Sequence, residues 1–119
     1  MPFTRLLDEL VQDTQGELAI FCDYEGEAIA FAHQARHAVY DVKVSGASLA
    51  AIVLSLQKTA RESGQSERLE FTCIAEETAW LVETLPGGYY LLLAVPPGSL
   101  WVRSRARLKI LADRFLGEL

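Results

Sequence analysis

Long hydrophobic runs are missing from this sequence. The longest, Tyr89–Val95, is much shorter than the roughly 20 apolar residues that a membrane-spanning helix needs. The first ten residues, MPFTRLLDEL, include acidic residues where a secretory signal peptide requires an uninterrupted apolar stretch. We therefore expect a cytoplasmic protein that does not insert into a membrane.

Cysteine is also scarce. The two cysteines, Cys22 and Cys73, each lie within an apolar run. A buried thiol behaves as a small hydrophobic group and is chemically inert. A disulfide would require two neighbouring strands and is disfavoured in the reducing cytosol. We expect two free thiols and no cysteine nucleophile.

Residue patterns typical of enzymes and cofactor sites are lacking as well. The sequence has no Gly-x-x-x-x-Gly-Lys phosphate loop, and the pair Gly87–Gly88 is typical of a hairpin turn. The adjacent acids Glu76–Glu77 point apart in a strand or turn, so they are interpreted as solvated turn residues. His33 and His37 have the spacing of two metal ligands on a helix but no third ligand, which favours a solvated loop. We predict no enzymatic activity and no cofactor.

Positive charge is in short supply. The 11 basic and 16 acidic residues leave a net charge of -5, which argues against non-specific nucleic-acid binding. Residues 97–119 hold five basic and two acidic residues, a local +3, so the rest of the chain carries -8. Arg103, Arg107 and Arg114 lie on or near the outer side of the predicted last helix. They form either a contact for an acidic partner or simply a solvated face.

What the sequence does contain is apolar residues in helical and strand patterns. With 119 residues, half of them hydrophobic, the chain suits a single domain over 1–119 with its own core. The segment 33–44 is interpreted as an irregular loop, with some extended residues near Val39–Val44. The other predicted elements are a helix from a Thr4 cap to about Gln12, strands at Leu18–Cys22 and Ala28–Ala32, a helix from Ser45 to about Glu62, strands at Arg68–Cys73, Thr78–Thr84 and Tyr89–Val95, and a helix capped by Ser99 whose buried face is Leu108, Leu111, Ala112, Phe115 and Leu119.

The apolar patterns of the strands predict their places in a sheet. Leu18–Cys22 and Tyr89–Val95 are continuous apolar runs, as expected for central strands that are buried on both faces. Arg68–Cys73 alternates between polar and apolar residues, which is typical of a strand with one buried face at the edge of a sheet.

The middle helix carries more apolar surface than one sheet can cover. A stripe of Leu49, Ile52, Val53, Leu56 and Ala60 is predicted to pack on the sheet. A second sector, displaced around the helix, consists of Ala47, Ala50, Ala51 and Leu54. Either a second copy of the chain or the loop at 33–44 must cover this sector, and the open strand edge favours the second copy.

Element order and local patterns together resemble the roadblock/dynein-light-chain domains, and within them the bacterial MglB-type GTPase regulators. The resemblance is carried by the hairpin LAIFCDYEGEAIA at 18–30, the small-residue-rich helix SLAAIV at 48–53, and the run Tyr89–Val95 that leads into the basic helix Val102–Leu116. It implies an α+β fold of the profilin-like kind, an αββαβββα sandwich whose antiparallel sheet has the order 2-1-5-4-3. The middle helix would lie on one face and the terminal helices on the other.

The resemblance also implies a function. Roadblock domains usually form homodimers through strand 3 and the middle helix, and MglB-type members promote GTP hydrolysis by a Ras-like small GTPase without inserting an arginine finger. The chain is accordingly interpreted as a homodimeric regulator or scaffold for such a GTPase. The alternative is a sensor with a sheet-lined pocket for a small molecule, formed by Phe31, Trp80, Tyr89 and Tyr90. The dimer contacts expected here are Ala47, Ala50, Ala51, Leu54, Leu69, Phe71 and Cys73.

Overall fold

Three helices enclose a five-stranded antiparallel sheet in a computed structural model that describes residues 2–34, 39–66, 68–96 and 101–118, with the side chains of 39–46 left out of the description. The strand order is β2-β1-β5-β4-β3, as the resemblance implies. The elements are α1 (Pro2–Thr14), β1 (Leu18–Cys22), β2 (Ala28–His33), α2 (Val39–Glu62), β3 (Glu70–Ile74), β4 (Ala79–Thr84), β5 (Tyr90–Val95) and α3 (Trp101–Leu116).

Central strands are the ones with continuous apolar sequences. Every residue of β1 and β5 is buried, whereas β3 at the edge is half-buried or exposed throughout. The prediction of two central strands and one edge strand is confirmed, because only strands covered on both faces can bury consecutive side chains.

Two hydrophobic layers hold the sheet between its helices. On one face, Phe21 of β1 packs edge-to-face against Phe115 of α3, with ring centroids 5.0 Å apart, and α1 contributes Leu7 and Leu10. On the other face, α2 places Val53 over Ile20 and Leu92. The terminal helices therefore share one face and α2 covers the other, as the resemblance implies.

Both of the first two helices begin earlier than predicted. α1 starts at Pro2, so Thr4 lies within the helix and does not cap it; proline fits a first helical turn, where no backbone N–H partner is needed. α2 starts at Val39, so the interpretation of Val39–Val44 as extended was wrong. The 24-residue helix includes Gly46 and several β-branched residues, whose intrinsic helix propensities are only weak guides to the structure adopted.

The face that α2 turns to the sheet also differs from the prediction. Leu49, Val53 and Ala60 do pack inwards, but Ile52 and Leu56 are exposed and Gln57 is buried in their stead. The helix is rotated by part of a turn from the predicted orientation. Its apolar residues occupy so much of the circumference that the sequence pattern fits several rotations.

Smaller differences concern the edge strand and the helix ends. β3 spans Glu70–Ile74 instead of Arg68–Cys73, and Cys73 is exposed, which corrects the expectation of a buried thiol there. Gly64 ends α2 in a left-handed conformation, as the predicted Ser63–Gly64 stop requires. The predicted Ser99 cap, Leu119 and His37 lie outside the described residues.

Candidate interaction surfaces

The outer edge of β3 offers a row of backbone groups for pairing. The amide of Thr84 donates to the carbonyl of Leu69 at 2.8 Å, and the amide of Ala75 donates to that of Thr78 at 2.8 Å. In an antiparallel ladder, hydrogen-bonded residue pairs alternate with non-bonded pairs. The backbone N–H and C=O groups of Phe71 and Cys73 therefore also point towards β4. The N–H and C=O groups of Glu70, Thr72 and Ile74 therefore point away from the sheet.

Apolar side chains accompany this open edge. Phe71 pairs with Val82 and Cys73 pairs with Trp80, which places all four on the side of the sheet that carries α2. Phe71 and Trp80 are only half-buried and Cys73 is exposed. At the end of the strand Ile74 is 60% exposed. An edge that is both unpaired and apolar is a template for association.

The other edge of the sheet is less suited to this role. β2 has only one exposed residue, Ile29, and its remaining side chains are buried or half-buried. α1 packs closely along it, burying Ala30 and Ala32 against Leu7 and its neighbours. β3, by contrast, has three exposed residues among its five.

The outer surface of α2 bears exposed apolar residues on two flanks. Leu54, 44% exposed, lies with Ala47 and Ala51 on the flank predicted for dimerisation, and Ile52, 48% exposed, lies with Leu56 on the opposite flank. Of the residues predicted as dimer contacts, Ala50, Leu69 and Phe71 are half-buried and the other four are exposed.

Ala47 and Ala50 have a second role, against the β1–β2 turn. A Cβ atom added at Gly26 would lie 2.9 Å from Ala47 Cα and 2.9 Å from Ala50 Cβ, so the turn touches the helix backbone. Gly26 also has a φ of +84°, which only glycine adopts readily. Small residues on both sides therefore let α2 lie directly on the hairpin.

Arg105 connects α3 to the edge strand, a role that the sequence reasoning missed. Its side chain is 16% exposed and its guanidinium reaches across the end of β3 and β4. The sequence offers one signal for this role, which is the position of an arginine close to the apolar stripe of a helix. Many solvent-exposed arginines have the same position, so the signal does not identify a buried contact. The guanidinium donates to Thr72 Oγ1 at 2.9 Å, Glu70 Oε2 at 3.0 Å, Glu83 Oε2 at 3.4 Å, and the carbonyls of Phe71 and Val82.

Glu83 is the buried carboxyl of this cluster. Burial, and next the negative charge of Glu70 opposite it, raise the pKa of Glu83 from 4.5 to about 7, while Arg105 and Arg68 lower it. Two carboxyl groups thus share one guanidinium, and the side chain of Glu83 holds a proton more readily than an ordinary glutamate does.

The predicted basic patch lies on the solvent side of α3. Arg103, Arg107 and Arg114 are all exposed, as predicted. Arg107 Nη1 lies 4.0 Å from Asp13 Oδ2 of α1, both well exposed, which makes a weak pair. The patch is therefore available to a partner.

Other predicted sites can be placed as well. Cys22 and Cys73 are free thiols on strands separated by two others, and burial raises the pKa of the Cys22 thiol to about 12. His33 ends β2, where its Nδ1 lies 2.7 Å from the Gln34 carbonyl. Within the described residues no group of three or more His, Cys, Asp or Glu could hold a metal, and no helix is long and apolar enough to cross a membrane.

The four aromatic residues predicted for a sensor pocket do not meet. Phe31, Trp80 and Tyr90 belong to the layer beneath α2, and Tyr90 is completely buried there. Tyr89 packs in the opposite layer, with its ring centroid 5.7 Å from that of Phe21. The sheet separates Tyr89 from the other three, so the predicted pocket is wrong.

Solved structures share this architecture. No model of a protein family and no curated protein matches the sequence. The fold is nevertheless that of the roadblock domains: a roadblock/LC7 domain from Streptomyces avermitilis superposes with a TM-score of 0.80 at 13% identity, covering 93% of this chain and 92% of that chain. The chain is also similar in structure to MglB of Myxococcus xanthus, with a TM-score of 0.85 at 16% identity over 98% of this chain and 94% of that chain. An MglB with a tetrameric arrangement gives 0.82 at 16% identity, covering 94% and 83%.

Proposed function

We propose that the chain is a non-enzymatic, homodimeric interaction module of the bacterial cytoplasm that regulates or scaffolds a Ras-like small GTPase. The observation that carries the proposal is the outer edge of β3, which pairs with no other described strand and lies beside exposed apolar side chains of β3 and α2. The GTPase is inferred from the structural similarity to MglB together with the resemblance of the sequence to MglB-type regulators.

The direction of the backbone groups favours one dimer geometry. A two-fold axis at Thr72 pairs two copies of β3 antiparallel and uses all of its residues, with Glu70 opposite Ile74 of the partner subunit. The outward N–H and C=O groups of Glu70, Thr72 and Ile74 then bond across the axis. The two sheets become continuous and no edge remains at β3.

A proline at Thr72 tests this geometry. The backbone N–H of Thr72 points towards the partner subunit and not towards β4, and proline lacks this N–H. Thr72→Pro therefore keeps the β3–β4 ladder but removes hydrogen bonds across the two-fold axis. Thr72→Ala is the matched control, because both variants lose the hydroxyl that accepts from Arg105. Sedimentation at micromolar concentration should give dimers for wild type and Thr72→Ala and monomers for Thr72→Pro. A monomeric wild-type protein would refute the dimer.

The GTPase role needs its own experiment. A Ras-like GTPase encoded beside this chain is the first candidate, and a pull-down supplies others. Single-turnover GTP hydrolysis is then measured with the purified GTPase, with and without an excess of the chain, alongside nucleotide release. A change in either rate supports regulation, and stable binding without a change supports a scaffold. No binding to any Ras-like GTPase, in either nucleotide state, contradicts the proposal.

A further inference from the structure

The outer face of α3 carries an apolar line that the fold does not need. Val102, Ala106 and Ile110 follow one another at four-residue spacing and are all exposed, Val102 by 66% and Ile110 by 59%. The opposite side of the helix already supplies the core with Leu108 and Phe115 among others. A surface helix requires only one apolar face, so this second line calls for another explanation.

Arginines border this line on one side. At 3.6 residues per turn, Arg103, Arg107 and Arg114 fall in one row that lies between the apolar line and α1. All three are exposed, and the pair that Arg107 makes with Asp13 at 4.0 Å is weak. The row therefore presents three cations whose hydrogen-bonding capacity is largely open to a partner.

A cleft lies beneath the arginine row, between α1 and α3. It has a volume of about 120 Å³ and is lined by the buried Leu6, Leu10 and Leu111, while the exposed Ile110 of the apolar line also borders it. Arg107 and Arg114 stand at its rim, with Glu9 and Asp13 across from them. An apolar hollow with cationic donors at the rim fits one hydrophobic side chain flanked by carboxylates.

We propose that this α3 surface, made of the apolar line, the arginine row and the cleft, docks an acidic amphipathic segment of a partner protein. One apolar side chain of the segment enters the cleft, others lie along Val102 and Ile110, and carboxylates pair with Arg107 and Arg114. Charge complementarity favours an acidic occupant, because residues 97–119 carry +3 in a chain whose remainder carries -8.

Carboxylates on the same surface favour a protein segment over an anionic membrane. Glu9 and Asp13 line the cleft, so a lipid headgroup layer would meet repulsion as well as attraction. A protein segment can place its own carboxylates beside the arginines and away from the carboxylates of the cleft. The surface lies on the face of the sheet opposite α2, and it contains none of the residues proposed as dimer contacts.

Two synthetic helical peptides provide the probe. One has leucine at every third or fourth position and glutamate elsewhere, and its counterpart has lysine in place of each glutamate. Each is titrated into the ¹⁵N-labelled full chain, wild type and variants, and amide shifts give both the location and the affinity. The variants are Arg107→Glu, Arg114→Glu and Ile110→Ser. Lys58→Glu is the matched control, because it reverses an exposed charge on α2.

The glutamate peptide should shift amides of α3 and of the α1 residues at the cleft, and bind less tightly as salt increases. Each α3 variant should weaken binding about tenfold or more, and Lys58→Glu less than about twofold. Thermal melts establish that the variants are folded. Equal binding of both peptides, binding that Arg114→Glu does not weaken, or binding to anionic vesicles but not to the peptide overturns the proposal. A loss of oligomeric mass in Ile110→Ser also overturns it, because the occupant is then a second copy; Thr72→Pro tests the proposed dimer separately.

Discussion

Arg105 Nη1 on α3 lies 3.4 Å from Glu83 Oε2 on β4, with both side chains largely removed from solvent. The same nitrogen lies 3.0 Å from Glu70 Oε2 on β3. Arg105 of α3 thus bonds to both side chains and a backbone carbonyl of the edge strand β3. This contact ties the edge strand β3 to both α3 and β4.

Arg105→Ala should destabilise the fold. The change leaves the buried Glu83 without its cation and removes the side-chain donor from the carbonyls of Phe71 and Val82, which keep their backbone bonds in the β3–β4 ladder. We expect a loss of about 2 to 3 kcal/mol, limited because Glu83 can respond by taking up a proton. Arg103→Ala, on the exposed side of the same helix, should change stability by about 0.5 kcal/mol or less. Urea denaturation of both variants measures the difference, and equal midpoints would show that the Arg105 cluster adds nothing.

Stability should depend on pH through Glu83. Since its pKa rises from 4.5 to about 7 on folding, the folded state binds the proton more tightly than the unfolded state. That stabilisation is complete below about pH 4.5 and is lost as pH rises to about 7, by at most about 3 kcal/mol. Glu83→Gln should flatten the dependence of the unfolding free energy between pH 5 and 8. A variant as steep as wild type would assign the effect to other groups.

Two glycines in left-handed conformation allow a matched comparison. Gly26→Ala and Gly64→Ala share the backbone penalty of about 1 to 2 kcal/mol, since their φ angles are +84° and +75°. A Cβ at Gly64 meets nothing within 4 Å, whereas one at Gly26 meets Ala47 and Ala50 of α2. Gly26→Ala should therefore cost about 1 to 3 kcal/mol more in thermal or urea unfolding. Equal losses would mean that α2 gives way without cost.

Cross-linking can establish the register of the proposed dimer. With the axis at Thr72, Phe71 lies opposite Cys73 of the partner subunit at a non-bonded position, where Cα atoms are about 4.5 Å apart and a disulfide can form. Two Cys73 residues would be diagonal neighbours, about 7 to 8 Å apart and too far. Phe71→Cys should therefore give a covalent dimer on mild oxidation and wild type should not. The double variant Phe71→Cys/Cys73→Ser should form no covalent dimer. Rapid oxidation of the wild type would instead move the axis to Cys73.

A charge on α2 tests which flank faces the second copy. Leu54→Glu should dissociate the dimer, because a carboxylate would be buried without a partner. Ile52→Glu, about as exposed and on the opposite flank, serves as the comparison. Sedimentation of the two variants decides the matter, and the reverse outcome would assign Ile52 and Leu56 to the interface.

Much of the fold follows from local patterns. The continuous runs at Leu18–Cys22 and Tyr89–Val95 predict central strands because consecutive apolar side chains need cover on both faces. The glycines at 26, 64 and 87–88 mark turns and a helix end that the structure retains. The exposed position of the arginine row on α3 could also be predicted from the sequence, since helical spacing separates it from the buried face that contains Leu108 and Phe115.

The sequence alone therefore determined the element order, the central and edge strands, and the exposed arginines, since each depends on the period of neighbouring residues. Only the tertiary structure decided the rotation of α2, the exposure of Cys73, the separation of Tyr89 from Tyr90 by the sheet, and the Arg105–Glu83 contact across 22 residues. These depend on which surfaces meet in space. A broad apolar face or a single arginine fits several such arrangements equally well, and packing between distant segments selects one.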